Sequence, residues 1–260
     1  MRGLILLLSV LSFVGCSRPE ILPSDIRPVV VSMHRPEHEP RDSTFDVEWR
    51  FRIAEGWHLY WDGLNDSGVP PRVELDLPDG WSADPPRWPM PERHVSPGGI
   101  LDHVYFDDLT LVQTVRWTDD YESAFGAKLT WLACRELCVF GDTTLVSQDA
   151  LPTGESVVYD ERLPLPPGRF DRTWRGNTLD LTFETADRLE FMPASDCGWL
   201  EDIVGDGAVD GRRLSLRFVA RDGRYGPARG FLKLVRSGSA TEWLIDIPAV
   251  PVAGPDPGGE

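Results

Sequence analysis

The segment Thr44 to Ile53 limits what this chain can fold into more than any other stretch. Phe45, Val47, Trp49, Phe51 and Ile53 alternate with Thr44, Asp46, Glu48, Arg50 and Arg52. A period of two puts the apolar set on one face of a β-strand and the polar set on the other, so one face is core and the other wet. The core face has to be covered by a further layer. Val73, Leu75 and Leu77 repeat the pattern against Arg72, Glu74 and Asp76, and Leu109, Leu111 and Val115 follow it more loosely before Trp117. Long helical periodicity is absent. Gly (24) and Pro (23) make turns frequent, and 41% hydrophobic residues can fill real cores. The chain therefore reads as all-β, with an immunoglobulin-like β-sandwich over residues 28–150.

Leu151 to Gly168 contains Pro152, Pro164, Pro166 and Pro167, too much proline for a central strand, so residues 151–169 read as a linker. A second series follows: Leu179, Leu181 and Phe183; Leu214, Leu216 and Phe218; Phe231 to Val235; Trp243 to Ile247. This predicts a second, smaller β-sandwich over 170–250. The Gly- and Pro-rich end, 251–260, reads as a disordered tail.

At the amino terminus Arg2, the apolar run Leu4 to Val14 and Gly15 directly before Cys16 have the three-part layout of a secretory signal. The run is too short for a bilayer span of ~20 residues. Phe13-Val14-Gly15-Cys16 resembles a bacterial lipobox, with Phe13 where Leu is usual; the alternative is an ordinary signal peptide with a cysteine nearby. The lipobox reading makes residues 1–15 a lipoprotein signal peptide, Cys16 the lipidated residue and 16–27 a tether. Ser17 after the cysteine points to an outer-membrane destination in a Gram-negative cell. A lipid anchor would be the protein's only hold on the membrane, on the periplasmic face of the envelope, where disulfides persist. The net charge of -16, from 26 basic and 42 acidic residues, argues against nucleic acid and against adhesion to anionic lipid, both of which need basic patches.

The chain has four cysteines, and two of them, Cys134 and Cys138, lie within Trp131-Leu-Ala-Cys-Arg-Glu-Leu-Cys-Val-Phe-Gly-Asp142. Leu129, Trp131 and Ala133 alternate with Lys128, Thr130 and Leu132 before the pair, and a strand-like run, Thr143 to Val146, follows it. If Arg135-Glu136-Leu137 is a hairpin loop, the cysteines face each other with Cα atoms ~4.5–5.5 Å apart, within reach of a disulfide. A structural disulfide is one reading. A bridge closing so small a loop removes little entropy from the unfolded chain, which favours a redox reading. Zinc is the third, but no second Cys/His pair at metal spacing occurs. His34 and His38 near Glu37 are a weaker metal idea, since Pro36 between them spoils a helical pair. Neither a metal nor a cofactor is expected. Cys197, left over, reads as a buried inert thiol rather than one that bonds a partner.

Gly56-Trp-His-Leu-Tyr-Trp61, Asn65-Asp-Ser-Gly68, Leu77-Pro-Asp-Gly-Trp81, Trp88-Pro-Met-Pro-Glu-Arg93 and Trp131-Leu-Ala-Cys-Arg-Glu-Leu-Cys138 occur in this order. Together they resemble the amino-terminal periplasmic domain of the DsbD and ScsB thiol:disulfide interchange proteins. The resemblance covers roughly residues 28–150, more weakly the second sandwich found in ScsB-like members. Phe140 departs from it by replacing the proline usual between the pair and Gly141, and Gly63-Leu64 interrupts the Asn-Pro-Gly that normally precedes Asp-Ser-Gly.

The resemblance implies a Cys134/Cys138 couple that receives electrons from a membrane partner and passes them to periplasmic thioredoxin-like proteins. It implies His58 and Tyr60 as neighbours of the pair, with Trp131 beside them in the cysteine motif. It also implies a cap near His94 to Tyr105 and Cys138 as the cysteine that forms mixed disulfides. Arg135 would favour a thiolate and Glu136 oppose it. No hydrophobic span follows the second domain and no Cys-x-x-Cys occurs, so a DsbD-like membrane conduit would be a separate protein. The competing reading is an envelope scaffold lipoprotein with a fold-locking disulfide.

Overall fold

The computed structural model describes residues 27–36, 43–118, 123–153 and 170–252. Cys16 with its flanking signal and tether, Glu37 and His38, most of the Pro-rich segment and the tail beyond Val252 lie outside the described residues.

Nearly every regular element is a strand. In the first half these are β1 (Val29–Arg35), β2 (Thr44–Ile53), β3 (Leu59–Tyr60), β4 (Arg72–Asp76), β5 (Ser82–Ala83), β6 (Glu92–Ser96), β7 (Ile100–Tyr105), β8 (Asp108–Arg116), β9 (Gly126–Cys134), β10 (Cys138–Val146) and β11 (Leu151–Pro152). They form a sheet in the order β11-β1-β2-β8-β5, a second in the order β10-β9-β4 and a small third, β3-β7-β6. All pairs are antiparallel except β1 with β11.

The alternation read in β2 is what packs it. Val47 and Trp49 are 0% exposed, and Trp49 and Phe51 pair in register with Leu111 and Leu109 of β8. Leu129, Trp131 and Ala133 of β9 close the core from the second sheet, Phe51 meeting Trp131 edge to face at 6.0 Å. Each such side chain stabilises the fold by about 1.5–3 kcal/mol when fully buried. The Trp49 indole N–H donates to Gln113 Oε1 at 3.2 Å, so burying it leaves no orphan donor.

The polar face of β2 departs from a simple wet face at Glu48, which is 1% exposed. β2 is central in its sheet, and the residues flanking Glu48 in register are His34 and Val112, both buried. Arg50 donates Nε and Nη2 to Glu48 Oε2 at 2.8 and 2.6 Å, which compensates the buried carboxylate.

The second half contains β12 (Phe170–Arg175), β13 (Thr178–Phe183), β14 (Arg188–Pro193), a one-turn helix α1 (Ile203–Asp206), β15 (Ala208–Asp210), β16 (Arg213–Arg217), β17 (Ala220–Arg221), β18 (Arg224–Tyr225), β19 (Ala228–Arg236), β20 (Ser239–Ile247) and β21 (Val250–Pro251). Sheets β12-β13-β16 and β15-β14-β19-β20 contribute Leu181, Leu214 and Leu216, and Leu189, Phe191 and Leu232, to a core of their own. The two halves touch. Phe231 of β19 lies 5.3 Å from the Trp61 ring, the Leu64 N–H donates to Pro193 O at 3.0 Å, and Gly63 bridges Ala194. No helix among the described residues is long and apolar enough to cross a membrane.

Candidate functional site

β9 and β10 pair continuously from Gly126 opposite Val146 to Cys134 opposite Cys138. Arg135-Glu136-Leu137 forms the loop between them, closed by the Arg135 N–H donating to Leu137 O at 3.0 Å. A disulfide joins Cys134 to Cys138 with Cα atoms 4.1 Å apart, somewhat closer than a regular cross-strand pair.

The two ends of this bridge have different surroundings. Cys134 is 2% exposed, whereas Cys138 is exposed. Topology is the reason: β9 lies between β10 and β4, and β10 is the outer strand. Cys134 also exchanges two backbone hydrogen bonds with His58, which donates to Cys134 O at 2.9 Å and accepts from Cys134 N at 3.0 Å. Tyr60 and Val104 pack on Cys134, with the partly buried Phe106 and Leu132 around them. On the Cys138 side Leu137 and Phe140 are exposed, Phe140 by 78%.

His58 and Tyr60 therefore lie together beside Cys134. His58 Nε2 and Tyr60 Oη are 3.2 Å apart, and the His58 ring lies 5.7 Å from Phe106 and 6.0 Å from His94. Burial, followed by the neighbouring His94, lowers the His58 pKa; burial raises that of Tyr60. Both shifts favour the neutral forms at neutral pH. Arg135 lies over the Trp57 ring, 5.3 Å from its centroid. Trp131 is not part of this group: it faces the main core, and its indole occupies the space where a side chain on Gly141, its cross-strand partner, would stand.

The sequence motif Asn65-Asp-Ser-Gly68 becomes intelligible here as a latch on β7. Asn65 Oδ1 accepts from the His103 N–H at 2.7 Å, and Asp66 Oδ2 accepts from the Leu101 N–H at 2.7 Å. Ser67 donates its N–H and hydroxyl to Asp102 at 2.8 and 2.6 Å. Gly68, at φ 69°, leaves room for the Tyr60 ring, which a Cβ would meet at 2.2 Å. The latch holds β7, and β7 carries Val104 onto Cys134 and leads into Phe106.

The region near His94 to Tyr105 is a β6–β7 hairpin. His94 and Val104 of the hairpin, and Phe106 just after it, lie nearest the site, and none was assignable from sequence. Their signal was faint, because β7 is buried on both faces from Leu101 to Tyr105, with Asp102 and His103 among its buried residues, so its sequence carries no clean alternation. Cys197 lies in the second sandwich, 8% exposed, with its thiol facing Pro227 O at 3.5 Å. Burial pushes its pKa up to about 11. Among the described residues no group of His, Cys, Asp and Glu is placed to hold a metal ion.

This geometry offers one sulfur to an incoming thiolate. Attack on Cys138 Sγ along the S–S axis would form a mixed disulfide there and expel Cys134 as the leaving thiolate.

Comparison with known proteins bears on the same region. The family model described as "Thiol:disulfide interchange protein DsbD, N-terminal" matches residues 30–150. No curated protein matches the chain. Among solved structures, the N-terminal periplasmic domain of ScsB from Proteus mirabilis is similar at a TM-score of 0.58 and 16% identity, covering 87% of this chain and 96% of that one. That coverage takes in both sandwiches, so the two share an overall fold. The reduced DsbD N-terminal domain of Neisseria meningitidis gives a TM-score of 0.33 at 19% identity over 48% of this chain and 88% of that one. The same domain in complex with the PilB N-terminal domain gives 0.33 at 18% over 49% and 87%. Those two scores are too low to place the fold. Residues 30–150, with the hairpin disulfide at their edge, are an N-terminal domain of the DsbD thiol:disulfide interchange family.

Proposed function

We propose that this chain is a lipid-anchored periplasmic module of thiol:disulfide interchange. It relays electrons through the Cys134/Cys138 couple to or from thioredoxin-like proteins, with a separate DsbD-like membrane protein as the electron source. The observation that carries the reading is the asymmetry of the bridge: an exposed Cys138 on an outer strand and a Cys134 sealed beneath Tyr60 and Val104. Family membership of residues 30–150 supports it.

In one transfer a thiolate of a donor dithiol attacks Cys138 Sγ, the Cys134–Cys138 bond breaks, and Cys134 leaves as a thiolate and takes up a proton. The donor's second thiolate then attacks the mixed disulfide and releases Cys138. The pair has gained two electrons and two protons, and the donor has become a disulfide. Transfer onward is the reverse, with the Cys138 thiolate attacking a partner's disulfide. His58 and Tyr60, neutral and packed beside Cys134, keep water and formal charge away from the sealed sulfur.

A Cys134→Ala protein mixed with a thioredoxin-like protein that keeps only its attacking cysteine, activated as an aryl mixed disulfide, should accumulate a mixed disulfide through Cys138, and Cys138→Ala should accumulate far less. Equal capture by both variants, or by neither, would contradict the assignment. Anchoring through Cys16 is tested separately: globomycin should accumulate the unprocessed chain, and unchanged membrane fractionation of Cys16→Ser would overturn it. A Cys16→Ser protein released from the membrane should keep its exchange chemistry.

A further inference from the structure

The β6–β7 hairpin has two faces that do different things. Successive residues of a strand point to opposite sides, and here His94 turns its ring toward His58 and Phe106 beside the disulfide. Its neighbour Arg93 reaches the other way, into the second sandwich. Arg93 Nη2 donates to Val204 O at 2.7 Å and to Ile203 O at 3.2 Å, both on α1. β7 repeats the division. Val104 packs on Cys134, while the adjacent His103 meets Trp61 at 5.7 Å, and Trp61 in turn meets Phe231.

We propose that the second sandwich clamps the hairpin that covers Cys134, and that Arg93 is a positioning residue for the exchanging pair. The inference rests on the reading of Cys134–Cys138 as an exchanging couple, but its geometry stands apart from any partner. Arg93 joins β6 to two carbonyl groups of a different folding unit, and charge-assisted hydrogen bonds of this kind are stronger than neutral ones. β6 is an edge strand of the small β3-β7-β6 sheet, and the Asn65 to Ser67 latch holds β7 rather than β6, so the external hold on Arg93 decides how firmly β6, with His94 on its other face, stays against β7. The face so held is the one that seals the buried sulfur and leaves Cys138 as the only open end. The second sandwich thus gives the exchange its direction of attack, though its own cysteine takes no part.

The test uses the full chain in a Cys138→Ala background, where Cys134 is a free thiol. Its alkylation by iodoacetamide is followed by peptide mass spectrometry, which separates Cys134 from Cys197. Arg93→Met should raise the Cys134 rate about tenfold, Arg93→Lys should restore most of the protection, and Cys197 should stay as slow as before. Cys197 is the internal control, because it is buried in the second sandwich and would open with any general loss of stability. An unchanged Cys134 rate, or Cys134 and Cys197 rising together, would overturn the clamp. Should Arg93→Met not fold, Phe231→Leu thins the other half of the same contact and must expose Cys134 selectively; failure to do so overturns it equally. None of these readings requires a redox partner, so failure of the clamp is distinguishable from failure of the shuttle.

Discussion

The cysteine sites of the two sandwiches share an architecture and differ in their position within it. Cys134 ends the inner strand β9 and Cys138 begins the outer strand β10, so the fold seals one sulfur and leaves the other open. Cys197 lies against Pro227 inside the second sandwich, and burial holds its pKa near 11. Burial thus disfavours its thiolate at neutral pH, and exchange needs both the thiolate and access to it. The difference shows that a β-sandwich does not by itself make a cysteine reactive or inert; the edge of a sheet and the cover over it decide.

The largest contrast to test is functional. Cys138→Ser should reduce exchange with a thioredoxin-like protein to the uncatalysed background, whereas Cys197→Ala should leave the rate within about twofold of the parent. Loss of exchange in a folded Cys197→Ala protein would break the comparison outright.

Stability should separate the two halves in a different way. Leu181→Ala opens a cavity in the second core and should cost ~2–5 kcal/mol in denaturant unfolding. The potential of the pair should not move, because Leu181 belongs to a different cluster from Cys134. A shifted potential in that variant would mean the second core acts on the sulfurs directly rather than by holding the hairpin.

His103 gives an acid-side prediction for the contact between the halves. It is 0% exposed, donates Nδ1–H to Leu64 O at 2.6 Å, and its Nε2 has no hydrogen-bond partner among the described residues. Burial is the main reason its pKa falls from 6.5 to about 4. The folded pKa lies below the unfolded one, so between these values the unfolded chain binds more protons and stability rises with pH. The contribution is complete above about pH 6.5 and is lost as pH falls toward 4, by about 3 kcal/mol in all. His103→Asn, which can keep the donor to Leu64, should flatten that part of the stability profile. An equally steep profile in the variant would place the titrating group elsewhere.

Much of this molecule was legible in its sequence where side-chain pattern and backbone pattern coincide. The alternation from Phe45 to Ile53 marks both the strand and its core face, and the spacing of Cys134 and Cys138 fits the hairpin that joins them. Glu48 shows the limit: its position says polar face, but it lies between buried His34 of β1 and buried Val112 of β8, a placement that only the strand order of the sheet reveals. β1 was not picked out as a strand, since Val29-Val30-Val31 is apolar on both faces. The β6–β7 hairpin was legible only as a region, because His94 and Phe106 acquire a role from where Asn65 to Gly68 latch β7. The contact of Arg93 with Ile203 and Val204 had no local signature at all, as it joins two separately patterned units.

The central claim, that Cys134–Cys138 is a working couple and not a fold-locking bridge, is most directly tested by its reduction potential. Equilibrating the protein in glutathione buffers and trapping free thiols should give a value of about -180 to -230 mV, in the range of glutaredoxin and disulfide-isomerase couples. Reduction should leave both sandwiches folded, because a bridge across so short a loop adds only about 2 kcal/mol by the loop-entropy argument. A pair that stays oxidised until about -300 mV or below, or whose reduction unfolds the first sandwich, would contradict the account.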